Sequence, residues 1–311
     1  MALPSAEQQP LVSIVMCTYN GERFLAAQVG SLLTQTYPNL EFVFLDDAST
    51  DRTWELLNGY ATEDKRIRLF RNETNLGPNK NFEKGISLCN AGIVAISDQD
   101  DLWHPEKIEI MMKEWRTGSD MIFSLSGSMD ESGNRRDAAP VHYADIDQLH
   151  TLVFNTPVNG HATMFRKEFA LSCSPFPADI YYDWWMSMHA ASRGIIGCVK
   201  KTLSWQRIHG RNFSRQLHSI SDKTERDAKK RIQWSYFIHS FFNTGAGKDP
   251  EKKDLLFYAG LLDEMDGIHF SRKMFRYIMR HRKQVFHYKR KPFVFISHFK
   301  HALRMSKTGV L

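Results

Sequence analysis

After a polar decapeptide the chain enters an apolar run at residues 11–17, Leu-Val-Ser-Ile-Val-Met-Cys. So few polar positions interrupt it that it predicts a central strand covered on both faces. It runs into Thr18-Tyr19-Asn20-Gly21, a polar loop. Leu25, Val29, Leu32 and Leu33 then recur at helical spacing, and Pro38 closes the segment. The alternation repeats. Residues 41–45 predict a second strand, followed by a helix carrying Trp54, Leu57 and Tyr60. Residues 67–71 predict a third, followed past the turn at Asn75-Leu76-Gly77-Pro78 by a helix with Phe82, Ile86 and Cys89 on one face. Ile93-Val94-Ala95-Ile96 is the fourth. Strand and helix in this order predict an α/β fold, with a mostly parallel central sheet flanked by helices.

The second half is less regular. Pro105 opens a helix, where its missing N–H costs nothing, and Ile108, Met112 and Trp115 share its face. Residues 121–125 and 162–166 predict strands on either side of a polar, turn-rich loop at 130–140; no period stands out over 141–160. A helix starts at Asp183, with Trp184, Met188 and Ala191 facing one way. Residues 197–205 form the last predicted strand, leading into the cationic loop Gln206-Arg207-Ile208-His209-Gly210-Arg211-Asn212-Phe213-Ser214. Beyond Ser221 the pattern is helical, broken at 245–250. The organisation expected is a lead-in at 1–10 with no order of its own, an α/β domain at 11–215 whose halves meet near residue 105, and a basic helical extension at 216–311.

Composition changes this picture in two places. An apolar share of 42% and a charged share of 24% describe an ordinary globular chain. Residues 1–10 lack the apolar stretch of a secretory signal, and no apolar run reaches the roughly 18 residues of a membrane span. The four cysteines form no C-x-x-C pair, so reduced thiols, rather than a zinc site, are expected, as in a cytoplasmic protein. The net charge of +6 hides an asymmetry. Of the 41 Lys and Arg, 12 lie between Ser271 and Leu311, where no Asp or Glu occurs, leaving 29 against all 35 acids elsewhere. In that tail Phe275, Ile278 and Met279, and then Phe293, Ile296 and Phe299, interleave with the basic residues, with Lys289-Arg290-Lys291-Pro292 between them. A basic amphipathic segment with aromatics suits an anionic membrane surface, with packing on the protein body as the alternative. No nucleic-acid-binding module is present, so nucleic acid is not an expected partner.

The sharpest chemical signal is Ile96-Ser97-Asp98-Gln99-Asp100-Asp101-Leu102-Trp103: three carboxylates within four residues, where a buried strand ends. In parallel α/β sheets that edge binds ligands. Crowded carboxylates repel unless a cation lies between them, and hard oxygen ligands suit Mg²⁺ or Mn²⁺ shared with substrate phosphates. The second strand also ends in acids, Asp46 and Asp47, with Ser49 and Asp51 after them. No G-x-G-x-x-G and no Walker-type loop appears, which disfavours dinucleotide and P-loop chemistry.

Taken in order, five blocks resemble the family 2 glycosyltransferases, inverting enzymes of the Rossmann-like GT-A fold. They are Ser13-Ile14-Val15-Met16-Cys17-Thr18-Tyr19-Asn20-Gly21, Leu33-Thr34-Gln35-Thr36-Tyr37-Pro38, Leu45-Asp46-Asp47-Ala48-Ser49-Thr50-Asp51, Asn75-Leu76-Gly77, and the Asp98 to Asp101 acids with Trp103 and Pro105. Tyr182-Asp183-Trp184-Trp185 and Trp205-Gln206-Arg207-Ile208-His209-Gly210-Arg211-Asn212 are similar to late motifs of its rhamnosyltransferase-like branch. Two steps depart from the usual pattern: Tyr182 stands where many relatives carry Glu, and His161 follows Gly160 where a small or sulfur side chain is usual.

The resemblance implies a nucleotide-diphosphate sugar donor, dTDP-rhamnose or a UDP-sugar. It also implies a glycan or lipid-linked acceptor in cell-surface polysaccharide synthesis, at the cytoplasmic face of a membrane. Thr18, Tyr19 and Asn20 would line the nucleoside pocket, Asp46 or Asp47 would receive the base N–H, and Asn75 to Asn81 would lie near the nucleotide. Asp98 would hold ribose or metal, Asp100 would be the direct ligand of Mg²⁺ or Mn²⁺, and Asp101 would orient that shell or meet the sugar. Asp183 would be the catalytic base, although its place at a helix start also suits an N-cap. Arg207, His209, Arg211, Asn212, Trp184 and His161 are the candidates for the diphosphate and the acceptor. A non-catalytic sugar-nucleotide-binding or membrane-scaffolding protein on the same fold is the alternative.

Overall fold

The computed structural model describes residues 9–138, 149–194, 196–210, 222–265, 269–286 and 294–310. They form two compact units: Met1–Pro140 with Val158–Ala190 and Ile195–His209, and Val141–Pro157 with Ala191–Gly194 and Gly210–Leu311. The domain boundary expected near residue 215 lies outside the described residues, as do residues 1–8 of the lead-in. Residues 9 and 10 are tied down: Tyr37 Oη donates to the Pro10 carbonyl at 2.6 Å and Asn39 Nδ2 to that of Gln9 at 2.9 Å.

In the first unit the predicted alternation is present. β1 (Val12–Thr18), α1 (Glu22–Leu33), β2 (Leu40–Asp46), α2 (Thr53–Glu63), β3 (Ile67–Arg71), α3 (Pro78–Leu88) and β4 (Ile93–Ser97) follow one another. β5 (Leu102–Trp103), α4 (Lys107–Glu114), β6 (Met121–Met129) and β7 (Arg135–Arg136) come next. β8 (Thr163–Arg166), α6 (Lys167–Ser172), α7 (Tyr182–Arg193) and β9 (Ile196–Arg207) complete the set, with α5 (Leu149–Asn155) falling in the second unit. The sheet order is β3-β2-β1-β4-β8-β6-β9-β5, with β7 beside β6. β3, β2, β1 and β4 are mutually parallel, as are β6 and β9. β8 is antiparallel to both neighbours and joins the two parallel blocks.

Two local expectations are corrected, and one strand is added. α4 begins two residues after Pro105, so that proline precedes the helix, and the buried positions are Ile108, Met111 and Trp115 rather than Met112. β6 runs four residues beyond Leu125, because β9 pairs with its whole length across a bulge at Ser124–Ser126. β5 has no signal of its own: two residues are held in register by β9 at Leu102–Trp205 and Trp103–Ser204.

β1 and β2 are buried almost throughout, and Ile14, Met16, Phe42 and Phe44 anchor the core between them and α1. α3 lies so close to β1 that a Cβ at Gly85 would come within 2.8 Å of Val15 Cγ1, which requires glycine there. Glu41 is the polar exception in β2. Its carboxylate accepts from Ser13 Oγ, from Asn90 N (2.6 Å) and Nδ2 (2.9 Å), from Ala91 N (3.2 Å) and from Arg68 (3.3 Å). It thereby ties β2 to β1, β3 and the start of β4.

The second unit is helical: α5, α8 (Lys223–Asn243), α9 (Asp249–Asp263), α10 (Arg272–Arg280), α11 (Arg282–Val285) and α12 (Val294–Thr308). Asp222 caps α8 through the Thr224 and Glu225 N–H groups. Phe237, Phe241, Leu255, Tyr258, Met274 and Ile278 lie in its core.

Glu41 generates a stability prediction. Burial by itself raises its carboxyl, but the Ser13 hydroxyl, the Asn90 and Ala91 N–H groups and Arg68 together hold it below the ordinary range. A depressed folded value means that the contribution is complete above the ordinary Glu range and is lost as pH falls through the lowered one. Glu41→Ala strands these donors and is expected to cost about 3 kcal/mol. Urea titration at pH 7 measures that loss; at acidic pH the gap between wild type and variant should narrow.

Candidate functional site

Parallel pairing brings three strand ends to one edge. Thr18 of β1 lies opposite Asp46 of β2, and Ser97 of β4 opposite Met16. The loops that follow each strand therefore converge, as the sequence predicts.

On the β1–β2 side, the two acids are engaged by their own loops. Asp46 is fully buried and accepts from Thr18 Oγ1 (3.0 Å), Ser49 N (3.0 Å) and Ser49 Oγ (2.5 Å), and pairs with Arg71 at 3.2 Å. Asp47 accepts from Asn72 Nδ2 (2.7 Å), Leu76 N (2.9 Å) and Gly77 N (2.9 Å), which fixes the loop carrying the exposed Asn75. Asn81 is buried, and its carbonyl accepts from the same Asn72 amide at 2.8 Å. Two non-glycine residues take left-handed backbone conformations, Asn20 at φ 48° and Ala48 at φ 60°. Asn20 accepts the Thr50 N–H at 2.8 Å. Ala48 has no such bond available to its side chain and carries strain of about 1–2 kcal/mol. It lines an open depression of about 360 Å³ with Arg71, Asn72 and Glu73. Tyr19 stays 47% exposed while Gln99 grips its backbone, accepting from Tyr19 N at 2.9 Å and donating to its carbonyl at 3.0 Å.

Beyond β4 the three acids diverge. Asp98 is the open one, with its side chain 37% exposed. Asp100 turns to His209, Oδ2 to Nε2 at 2.7 Å. Asp101 is buried, and its Oδ1 accepts the Arg207 N–H at 3.0 Å. His161 Nδ1 lies 3.2 Å from Asp101 Oδ2 and 3.5 Å from Asp98 Oδ2, with its Nε2 bonded to Ser126 Oγ at 2.6 Å. Burial pushes the Asp101 carboxyl up, against the pull of His161, and the two acids raise His161 despite its own burial. Lys107, fully buried, donates to the His161 carbonyl and lies 3.4 Å above the Trp103 ring; burial drives its ammonium well below its ordinary pKa.

Asp183 enters from α7. Its Oδ1 accepts the N–H of the next residue, Trp184, at 2.8 Å within the first turn of the helix, which starts at Tyr182, and its Oδ2 accepts the Gly160 N–H at 2.9 Å. Burial raises its carboxyl above the ordinary range, opposed by these two N–H groups, and Asp98 adds to the rise. Gly160 is followed immediately by His161, so one dipeptide contacts Asp183 on one side and the acid cluster on the other. Tyr182, buried with its ring 4.6 Å from that of Phe82, fills the space beside Gly160; a Cβ at 160 would strike its hydroxyl.

The residues fit a divalent cation. One ligand atom from each of Asp98, Asp101 and His161 lies within 4.8 Å of the others, and Asp101 Oδ2 is buried with no hydrogen-bond donor. Asp100 and His209 offer a second carboxylate–imidazole pair. An oxygen-rich set with imidazole suits Mn²⁺ or Mg²⁺.

Other predicted residues have different surroundings. Arg207 is buried: its Nε donates to the Asp100 carbonyl at 2.9 Å, its Nη1 to the carbonyls of Asp130 and Glu131, each at 3.2 Å, and it stacks 4.6 Å from the Phe24 ring. These contacts brace the loop. Trp184 and Trp185 are both core residues, so Trp184 offers no open stacking face. Arg211 and Asn212 lie outside the described residues. Sequence reasoning missed Gln99, Lys107 and Ser126. Lys107 left one trace, since a cation in the first turn of a helix opposes the helix dipole.

The glycosyl transferase family 2 domain matches residues 13–172. An uncharacterised glycosyltransferase of Methanocaldococcus jannaschii is 29% identical over 187 residues, 57% of this chain and 64% of that one. A putative teichuronic acid biosynthesis glycosyltransferase of Bacillus subtilis is 33% identical over 119 residues, 38% of this chain and 47% of its own. The chain thus spans less than two thirds of either relative. Among solved structures, Staphylococcus aureus TarS 1–349 in complex with UDP-GlcNAc superposes with TM-score 0.59 at 15% identity, covering 96% of this chain and 90% of that one. The Pyrobaculum calidifontis mannosyltransferase in complex with GDP-Man and Mn²⁺ does so with TM-score 0.55 at 18% identity, covering 84% and 72%. At these identities the two share the fold.

The packing at Gly160 is testable. Gly160→Ala should destabilise the protein by about 2 kcal/mol, an overpacking penalty. Tyr182→Phe, which removes the struck hydroxyl, should restore part of it. Thermal unfolding of both single variants and the double variant gives the coupling; strict additivity would show that the two residues do not meet.

Proposed function

The chain belongs to glycosyl transferase family 2, and from that premise we propose that it transfers a sugar from a nucleotide-diphosphate donor by a metal-dependent displacement that inverts the anomeric carbon. The single observation that carries this reading is the Gly160–His161 step, which sets the carboxylate of Asp183 beside the Asp98 to Asp101 cluster. Such a displacement needs both: a base for the acceptor hydroxyl and stabilisation for the departing diphosphate.

Asp183 is the base. A hydrogen-bonded carboxylate with a raised pKa accepts a proton more readily than an ordinary one. The acceptor oxygen, losing its proton to Asp183, attacks the anomeric carbon opposite the leaving nucleoside diphosphate. Asp100 and His209 would hold the cation, whose chemistry would be to neutralise charge on the diphosphate. Asp98, at the open edge, faces the ribose or the same cation. Asp101 and His161 lie behind them and orient that shell; the donorless Asp101 Oδ2 favours a second reading, in which Asp98, Asp101 and His161 are the ligands. Tyr19 and Asn20 frame the nucleoside. Of the two loop acids, Asp47 is the better partner for a base N–H: a carboxylate has about four acceptor positions, and Asp46 meets four protein donors where Asp47 meets three.

For the donor we propose dTDP-rhamnose or a UDP-sugar, and for the acceptor a glycan or lipid-linked intermediate of cell-surface polysaccharide synthesis. The similarity to the teichuronic acid relative supports the acceptor, and the UDP-GlcNAc and GDP-Man complexes of the structural neighbours support the donor class. No helix among the described residues is long and apolar enough to cross a membrane. The proposed site of action is the cytoplasmic face of an anionic membrane, reached through α12. There Phe295, Ile296 and Phe299 are exposed, Ile296 to 65%, alongside Lys300 and Arg304. The inward face of the same region is structural: Met274, Ile278, Ala302 and Met305 are buried.

The function is tested with a panel of sugar nucleotides and Mn²⁺. Asp183→Asn should bind donor as wild type does while transfer falls about 10²–10⁴-fold, and Asp100→Ala should remove the response to Mn²⁺. The acid limb of the wild-type rate should lie above the ordinary Asp range, because the base must be ionised and its pKa is raised. Equal losses of donor affinity and rate in Asp183→Asn would instead make it a cap. Donor binding without transfer by the wild-type chain would favour a non-catalytic binding protein.

Membrane docking is tested by sedimentation with anionic and neutral liposomes. The wild-type chain should co-sediment with anionic vesicles and be released by salt, since each basic residue near such a leaflet contributes about 1 kcal/mol. Ile296→Glu with Phe299→Glu should abolish binding. Undiminished sedimentation of that variant would exclude α12 as the contact.

A further inference from the structure

Within the helical unit, three side chains from separate helices converge on one point. His150 comes from α5, Asp254 from α9, and His281 from the junction of α10 and α11. His150 Nε2 lies 2.6 Å from Asp254 Oδ2, and His281 Nε2 lies 3.3 Å from the same oxygen. The two imidazoles stack face to face, 5.1 Å apart and 8° from parallel, so both Nε2 atoms approach that oxygen from adjacent directions. Tyr277 Oη donates to Asp254 Oδ2 at 2.9 Å. His281 Nε2 is buried and makes no hydrogen bond.

We propose that His150, Asp254 and His281 form a zinc-class divalent cation site, separate from the acid cluster of the first unit, with Tyr277 as the outer partner of its carboxylate. The ligand atoms already lie within 4.8 Å of one another. Zinc bonds to nitrogen and oxygen of about 2.0–2.1 Å at tetrahedral angles place ligand atoms roughly 3.3 Å apart. The His281–Asp254 separation meets that value, and the His150–Asp254 pair needs to open by about 0.7 Å. Two imidazoles and one carboxylate, with a fourth position for water, is a donor set that zinc accepts and that Mg²⁺ does not favour. A bound cation would cross-link α5, α9 and the α10–α11 junction, and would engage the buried His281 Nε2, which lies 3.3 Å from Asp254 Oδ2 without a hydrogen bond to it.

The test uses the full chain stripped of metal. Co²⁺ should give the intense ligand-field absorption of a tetrahedral site, displaced by one equivalent of Zn²⁺, and Zn²⁺ should raise the unfolding temperature. His281→Gln should remove that equivalent, and Tyr277→Phe should weaken it about 10-fold, as outer-partner losses do. X-ray absorption on the wild-type chain with one equivalent of Zn²⁺ needs no variant to fold. It should show two imidazole nitrogens and an oxygen in the first shell. A shell with at most one imidazole would place the zinc at the acid cluster and overturn the proposal, as would identical zinc stoichiometry in wild type and His281→Gln.

Discussion

The arrangement of the first unit turns on the backbone of two residues. The Gly160 N–H holds Asp183, the His161 ring lies between Asp98 and Asp101, and the His161 carbonyl receives Lys107. Gly160 and His161 belong to a short 3-10 turn that leads directly into β8, the strand joining the two parallel blocks. A displacement of that turn would move Asp183 relative to the acids. No bulkier residue fits at 160, because Tyr182 already fills the space a side chain would need. The tyrosine at 182 and the histidine at 161, both departures from the usual pattern, are thus neighbours in one packing solution.

The charges behind the acids obey a second constraint. A buried carboxylate is tolerated when it is paired and hydrogen-bonded. Asp101 has the Arg207 N–H on one oxygen and His161 near the other, and it favours the ammonium of Lys107 against the burial that disfavours it. Each cation in turn has an anchor: Ser126 for His161, Trp103 for Lys107, and the loop carbonyls with Phe24 for Arg207. Asp98 is left toward the open edge, while Asp100 is held by His209.

How far the sequence foretells this depends on the range of the interaction. β1 to β4 and their helices are legible because each is a local period, and the acids at their ends are legible because parallel topology puts strand ends on one edge. Asp98, Asp100 and Asp101 needed no structure to be noticed. Their separate environments did, since Asp100 meets His209 and Asp101 meets Arg207 across more than a hundred residues. β5 exists only through pairing with β9, and α5 occupies a stretch without a clean period. Arg207 adds a different case: in a polar loop with His209 and Arg211 it reads as a cation for a ligand, and its contacts with loop carbonyls and the Phe24 ring leave no mark in local sequence.

The family match ends at residue 172, before Asp183, β9 and His209. Yet the later segment is not independent of the matched one. Besides the pairing of β9 with β6 and β5, three of its bonds reach the site itself: Asp183 to Gly160, the Arg207 N–H to Asp101, and His209 to Asp100. Each bond joins a residue beyond the match to one inside it, and two of the three end on the acid cluster. The blocks of resemblance are densest in the loops after β1 and β2, which on the proposed function would meet the nucleotide, whereas Asp183 and His209 lie beyond the match and are recognised through what they bond to rather than through the pattern of their own segments.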